Sequence, residues 1–163
     1  MDRDEALSDL YQDHYRSLVR LAAILVDDRE AAEDVVQDAF VKAYRSWGRL
    51  KDPAAAPAYL RSIVLNTARS GLRRRLVAAR HRPAAPPPTA AADESVLLSE
   101  DRREVLDALR ALPRRQRECL TLRYYLDCSE AEIAATLGIS TGSVKSHASR
   151  GLAALAGRLE ARR

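Results

Sequence analysis

The chain is poor in the residues that build metal centres and disulfide frameworks. Cys119 and Cys128 are its only cysteines, no CxxC pair is present, and His14, His81 and His147 are scattered. Without paired ligand spacing a structural zinc site has nothing to assemble on, and the two cysteines read as ordinary reduced thiols. No apolar run approaches the roughly twenty residues that cross a bilayer, and no charged-then-apolar leader opens the sequence. A soluble cytoplasmic protein with no membrane partner is expected. No segment alternates apolar and polar residues as a half-buried strand does, so the expected fold is all-α. A carboxylate pair, a nucleophile beside a base and a phosphate-binding glycine loop are also lacking. The chain is therefore expected not to be an enzyme, and to carry neither cofactor nor metal. The two halves do not match each other, so there is no internal repeat.

What is present is charge, unevenly placed. The 163 residues suffice for one ordinary domain or two small ones, and an apolar content of 47% supplies a packed core. The net charge of +4 hides a strong asymmetry. Residues 1–40 hold eleven acidic and four basic residues, whereas residues 61–82 hold seven arginines and no acid. An arginine block of this kind suits nucleic acid or another anionic surface, or is a solvated tail. The acidic N-terminal part suits a basic protein surface. Composition also breaks at residues 81–95, HRPAAPPPTAAADES, which contain four of the seven prolines, three of them consecutive at Pro86, Pro87 and Pro88. Such a run cannot be helical and makes an extended, semi-stiff tether. The expected organisation is a domain over 1–80, a linker over 81–98 and a second domain over 99–163.

Helical periodicity fills both halves. Residues 4–26 place Leu7, Leu10, Tyr11, Tyr15, Leu18, Leu21, Ala22 and Leu25 on one stripe. Asp27 or Asp28 caps a second helix reaching about Trp47, with Val35, Val36, Ala39, Phe40, Ala43, Tyr44 and Trp47 inward and Gly48 as its stop. A third helix starts near Pro57, after a loop, and runs to about Arg75 with Leu60, Ile63, Val64, Ala68 and Leu72 inward. In the second half, residues 99–112 carry Val105, Leu106, Leu109 and Leu112, and Pro113 sits in the first turn of a helix over 113–125.

Residues 129–155 form the most informative segment. Ser129 followed by Glu132 is a capping box that starts a short helix. Gly138 ends it, because glycine tolerates the left-handed backbone of a helix stop. Ser140 or Thr141 caps the next helix, which repeats apolar residues at Val144, Ala148, Leu152 and Leu155. Its other face shows Lys145, Ser146, His147, Ser149 and Arg150. A helix-turn-helix of this form presents hydrogen-bond donors to base edges and phosphates in a major groove. An ordinary helical hairpin with a solvated polar face has the same local pattern.

In this order, an acidic helix, an arginine-rich helix, a proline tether and a helix-turn-helix resemble a bacterial sigma factor of the sigma-70 superfamily, in its minimal extracytoplasmic-function group. The stretch DDREAAEDVVQDAFVKAYRSW (27–47) is similar to that family's core-polymerase-binding segment. YLRSIVLNTARSGLRRR (59–75) is similar to its promoter-melting helix, and residues 111–152 to its C-terminal DNA-binding domain. RYY followed by SEAEIA, with the ASRGL ending, resembles the actinobacterial-type subgroup.

The resemblance implies roles. Asp34, Gln37, Asp38 and Lys42 would bind the coiled coil of the β′ clamp of core RNA polymerase, a carboxylate and amide strip accepting forked arginine contacts. Asn66 would hold a base flipped from the minus-ten element, with Tyr59 beside it. Arg61, Arg69, Arg73, Arg74 and Arg75 would hold backbone phosphates. An amide donates and accepts at once, which suits a base edge. Lys145, Ser146, His147 and Arg150 would read the minus-thirty-five element, Lys145 more often through a phosphate than a guanine and Arg150 through either, and Arg114, Arg115 and Arg117 are candidates for flanking phosphates. The implied partners are core RNA polymerase, through its β′ clamp and β flap, and promoter DNA. Many relatives are held inactive by an anti-sigma factor, and no residue here identifies one. Many relatives also carry tryptophan where Tyr59 stands, and the loop GRLKDPAAAPA is alanine- and proline-rich where others are more polar or aromatic, so the minus-ten base preference does not carry over.

Two other classes stay open at the level of sequence. A helix-turn-helix regulator that is not a polymerase subunit would use the same C-terminal module, normally behind an α/β domain. A pure interaction module would need neither Arg73–Arg75 nor the helix-turn-helix.

Overall fold

The computed structural model describes residues 2–26, 28–81 and 100–162, with the side chains of 72–81 outside the description. Among the described residues every regular element is helical, and the chain divides into two compact units. The first holds α1 (Arg3–Val26), α2 (Arg29–Ser46) and α3 (Ala56–His81). The second holds α4 (Glu100–Arg110), α5 (Arg114–Tyr124), α6 (Glu130–Leu137) as far as Ala134, and α7 (Thr141–Ala161), while Ala135–Leu137 are grouped with the first. Residues 82–98, most of the expected tether, lie outside the described residues.

In the first unit all three helices pack on one another. α1 buries Leu18, Leu21, Ala22 and Ile24, and α3 buries Leu60, Val64, Leu65 and Ala68. The matching row on α2 is Ala32, Val36, Ala39 and Ala43, each fully buried. Its spacing of four, three and four keeps one face inward, and its small side chains let α1 and α3 approach closely. Each leucine buried here contributes roughly 1.5–3 kcal/mol of transfer free energy. The stripes differ from expectation at their margins: Tyr11 and Tyr44 are 37% and 42% exposed.

Local chemistry sets the ends of these helices. Asp28, rather than Asp27, is the N-cap of α2, its Oδ1 accepting from Glu30 N at 3.1 Å. Gly48 does not stop the helix by itself. α2 runs directly into a 3₁₀ turn over Trp47–Arg49, and Ser46 Oγ donates to Lys42 O at 2.8 Å where it ends. Asp52 caps a second 3₁₀ turn over Pro53–Ala55 that leads straight into α3. α3 continues past Arg75 to His81.

In the second unit α5 supplies Cys119, Leu120 and Leu122, joined by Ala108 and Leu109 of α4, Ile133 of α6 and Val144 of α7. Pro113 is the extended residue before α5 rather than part of its first turn. Two guanidinium groups satisfy carbonyls at the end of α4: Arg117 Nη1 donates to Arg110 O at 3.1 Å and Arg158 Nη2 to Ala111 O at 3.4 Å. Glu118 is only 1% exposed, its carboxylate 3.6 Å from Arg114 Nε and 3.3 Å from Arg115 Nη1. Leu152, expected inward, is 43% exposed. Gly151 is buried in its place, where α7 crosses close against Leu120 and Gln116 of α5.

Candidate nucleic-acid interface

α2 and α3 of the first unit enclose a cleft of about 350 Å³ lined by Lys42, Arg45, Ser46, Tyr59, Ile63, Asn66 and Thr67. Tyr59, Ile63 and Asn66 recur at helical spacing, so α3 turns them to the same side. Asn66 is exposed, its amide uncommitted to the core. Tyr59 Oη is hydrogen-bonded to Ser46 Oγ, which fixes the ring against the end of α2. Lys42 Nζ donates to Thr67 Oγ1 at 3.1 Å and pairs with Asp38 Oδ2 at 3.2 Å. An aromatic ring, an aliphatic wall, an amide and two cations suit a planar heterocycle carrying a phosphate.

Of the residues expected to bind polymerase, Asp34, Asp38 and Lys42 share one row of α2, with Lys42 paired to Asp38, and Gln37 turns away from them. Asp34 and Asp38 line a separate recess of about 390 Å³ with Val26, Ala31, Val35, Thr67 and Gly71. Gln37 faces α1 instead, its Nε2 donating to Tyr11 Oη at 3.1 Å. It borders a groove of about 490 Å³ shared with Tyr11, Phe40, Val41 and Tyr44. Tyr11 stacks on Tyr15 at 4.6 Å between centroids and meets Phe40 at 5.0 Å. The guanidinium of Arg3 lies 3.7 Å from the centre of the Tyr44 ring. Lys42 also borders the Asn66 cleft. Sequence reasoning missed Arg45, Ser46 and Thr67 in that cleft and the outward aromatic groove. Arg45 alone had a signal, one turn after Lys42 on an exposed face.

Arg61 and Arg69 lie on α3 but do not line the cleft. Arg73, Arg74 and Arg75 continue the helix, with side chains outside the described residues.

In the second unit the helix-turn-helix forms as its sequence dictates. Ser129 Oγ accepts from Glu132 N at 3.1 Å and Glu132 Oε1 from Ser129 N at 3.0 Å, completing the capping box. Gly138 adopts φ 67° and ψ 35°, and its N–H bonds Ala134 O at 2.8 Å. Ser140 caps α7, accepting from Ser143 N at 3.0 Å. Val144 and Gly151 face inward, leaving Lys145, Ser146, Ser149 and Arg150 exposed on the opposite side and His147 half-buried at the boundary. One side of this helix packs, and the other is polar and exposed.

An open cleft bordered by Lys42 and Arg45 in one helical unit and a capped helix-turn-helix in the other suit a DNA-binding protein of all-α class. Residues 10–76 match the family model for Sigma-70 region 2, and residues 102–155 that for Sigma-70, region 4. Over 146 residues the chain is 38% identical to the RNA polymerase sigma-E factor of Streptomyces avermitilis, covering 90% of this chain and 80% of that protein. It is 35% identical over 151 residues to the ECF RNA polymerase sigma factor SigM of Mycobacterium tuberculosis, covering 93% and 76%. Among solved structures it is similar to CnrH in complex with the cytosolic domain of CnrY, with a TM-score of 0.74, 25% identity and coverage of 98% and 91%. It is also similar to the sigma factor RpoE of Bartonella quintana in complex with the anti-sigma factor NepR, with a TM-score of 0.69, 26% identity and coverage of 95% and 99%. The chain belongs to the sigma-70 family of RNA polymerase sigma factors, in its extracytoplasmic-function group.

Proposed function

We infer that the chain divides the work of promoter selection between its units. Residues 1–80 hold core RNA polymerase and open the minus-ten element, residues 81–98 tether, and residues 99–163 read the minus-thirty-five element. Its place of action is the cytoplasm, with the polymerase. The cleft between α2 and α3 carries this reading, because it brings Tyr59 and Asn66 together with the cations Lys42 and Arg45. Extruding a base from a duplex costs a few kcal/mol, so a receiving pocket must offer stacking, an edge-reading group and phosphate neutralisation together.

Asp34, Gln37 and Asp38 stand exposed on α2 for the basic coiled coil of the β′ clamp. Lys42 stands with them through its pair with Asp38 and also borders the cleft. Arg69 and Arg73–Arg75 supply the phosphate contacts along α3, and Arg61, expected among them, is buried at 8% exposed and does not reach the DNA backbone. In the second unit Lys145, Ser146, His147 and Arg150 meet the major groove, and the β flap holds the same unit from another side. CnrH was solved with the cytosolic domain of CnrY, and RpoE with the anti-sigma factor NepR. An anti-sigma factor is accordingly a proposed partner of this chain.

Run-off transcription with purified core polymerase on genomic fragments tests the assignment. Discrete start sites that depend on the protein and vanish with Asn66→Ala or Arg150→Ala are expected. Sequence-specific DNA binding without any transcript would instead make the chain a regulator acting apart from polymerase.

A further inference from the structure

Glu130 is an acidic residue on the side of the second unit that meets DNA. Its carboxylate lies between two cations from different helices: Oε1 is 3.7 Å from Arg123 Nη1 at the end of α5, and Oε2 is 3.8 Å from Lys145 Nζ in the first turns of α7. The side chain is 34% exposed, against 42% for Arg123 and 68% for Lys145. Glu130 is not needed to start α6, because Ser129 and the Glu132 carboxylate complete the capping box between themselves. Both distances exceed hydrogen-bond range, so the contacts are ionic, hydrated and readily exchanged.

A carboxylate bridging two exposed cations resembles a backbone phosphate in charge and in acceptor geometry. On a free protein it keeps the two cations side by side. On DNA it competes with the phosphate that would take its place, and its own charge repels the backbone. Electrostatic contacts of this kind act on every duplex whatever its sequence, through release of counterions.

We propose that Glu130 is an internal stand-in for a DNA phosphate, which sets Arg123 and Lys145 as a paired phosphate contact and holds down the chain's affinity for duplex. The proposal rests on the reading of the second unit as DNA-binding. It adds Arg123 to the contact surface and gives Lys145 a backbone role, leaving base reading to Ser146, His147 and Arg150. Glu130 is a positioning residue: it touches no DNA and acts through two side chains that do.

The test uses holoenzyme reconstituted from core polymerase and the full chain, wild type or Glu130→Gln. The probe is a fragment carrying a promoter mapped by the run-off experiment, and affinity is measured across a salt series. Glu130→Gln should bind roughly three- to tenfold tighter at low salt, with a log–log salt slope steeper by up to about 0.9. A merely structural role for Glu130 would not steepen that slope. Adding Arg123→Gln or Lys145→Gln should abolish the gain. Glu130→Ala also removes the charge and should show the same gain, so the test survives a poorly folding glutamine variant, whereas Glu130→Asp keeps the charge and should behave as wild type. Unchanged or weaker binding by Glu130→Gln, or an equal gain from Glu130→Asp, would overturn the proposal. Wild-type holoenzyme that ignores replacement of the minus-thirty-five element would sink the underlying DNA-binding reading instead, and the two failures are distinct.

Discussion

A methyl group on Gly151 of α7 would meet Leu120 Cδ1 of α5 at 3.0 Å and Gln116 Cβ at 3.2 Å. The helix-turn-helix is thus seated on α5 by a crossing at which even a methyl group would push Leu120 and Gln116 aside. In an exposed helix interior, glycine to alanine stabilises by about 1 kcal/mol. At Gly151 the packing clash should reverse the sign, and Gly151→Ala should cost about 1–2 kcal/mol net. Gly157 lies further along the same helix with nothing within 4 Å, so Gly157→Ala should stabilise by about 0.5–1 kcal/mol. Urea unfolding followed by far-UV circular dichroism reads both. Two changes of the same sign would show that the crossing is looser than described.

Gly138 presents a different case, since a Cβ there would meet nothing but the backbone has φ +67°. The penalty is conformational rather than steric. Gly138→Ala should destabilise the second unit by about 1 kcal/mol, and Gly138→Asn by less, because asparagine tolerates the left-handed region better. Equal losses for the two in a urea titration would point to crowding instead.

Cys119 is fully buried, and burial pushes its thiol up to about 11, with the Glu118 carboxylate adding to the shift and Arg115 opposing it. In the unfolded chain the thiol ionises near its ordinary value of 9.0. The unfolded state therefore releases its proton first as pH rises. The folded state's advantage is whole below about pH 9 and is lost between about 9 and 11, on the order of 2–3 kcal/mol. Thermal midpoints measured across that window should fall more steeply for wild type than for Cys119→Ala. Parallel curves would remove Cys119 from the alkaline transition. The same burial should leave the thiol inert to alkylation in the native protein at pH 8, because the thiolate is the reactive form.

Features that depend on a few neighbouring residues were legible before any coordinates. The Ser129–Glu132 box, the left-handed Gly138 and the acidic cap of α2 follow from backbone donors that have to be met within one turn. So does the all-α class, which rests on periodicity alone. What escaped reading depends on where a second helix lies. Gly151 is a weak helix residue until α5 is placed against it, and the expected Leu152 then turns outward. Tyr11 and Tyr44 sit at the edges of their stripes, where a rotation of one residue decides between core and groove. Lys42 shares a helical row with Asp34 and Asp38 and pairs with Asp38, yet α3 adds Thr67 as a second partner, so that Lys42 also borders the Asn66 cleft.

Asp34 and Gln37 open onto different recesses of α2, one toward Gly71 of α3 and one toward Tyr11 of α1. A basic coiled coil laid across the exposed face of α2 would meet both. Asp34→Lys should therefore abolish capture of core polymerase in a pull-down, while the thermal midpoint stays close to wild type because the side chain is exposed. Retained capture would move the polymerase contact off this face.

Asn66 is exposed and lines the cleft without a part in the core, so Asn66→Ala should change stability by no more than about 0.5 kcal/mol. Loss of an edge-reading amide should nevertheless cost promoter opening about tenfold or more, since the cleft must offset the few kcal/mol of unstacking. Run-off transcription combined with permanganate footprinting separates this from a binding defect: the variant holoenzyme should still occupy the promoter while thymines near the start site stay unreactive. Tyr59→Phe removes only the hydroxyl that meets Ser46 and keeps the ring on which a base would stack. It should therefore open promoters better than Tyr59→Ala. A Phe variant as defective as Ala would mean that the Ser46 contact, and with it the fixed geometry at the end of α2, matters more than stacking.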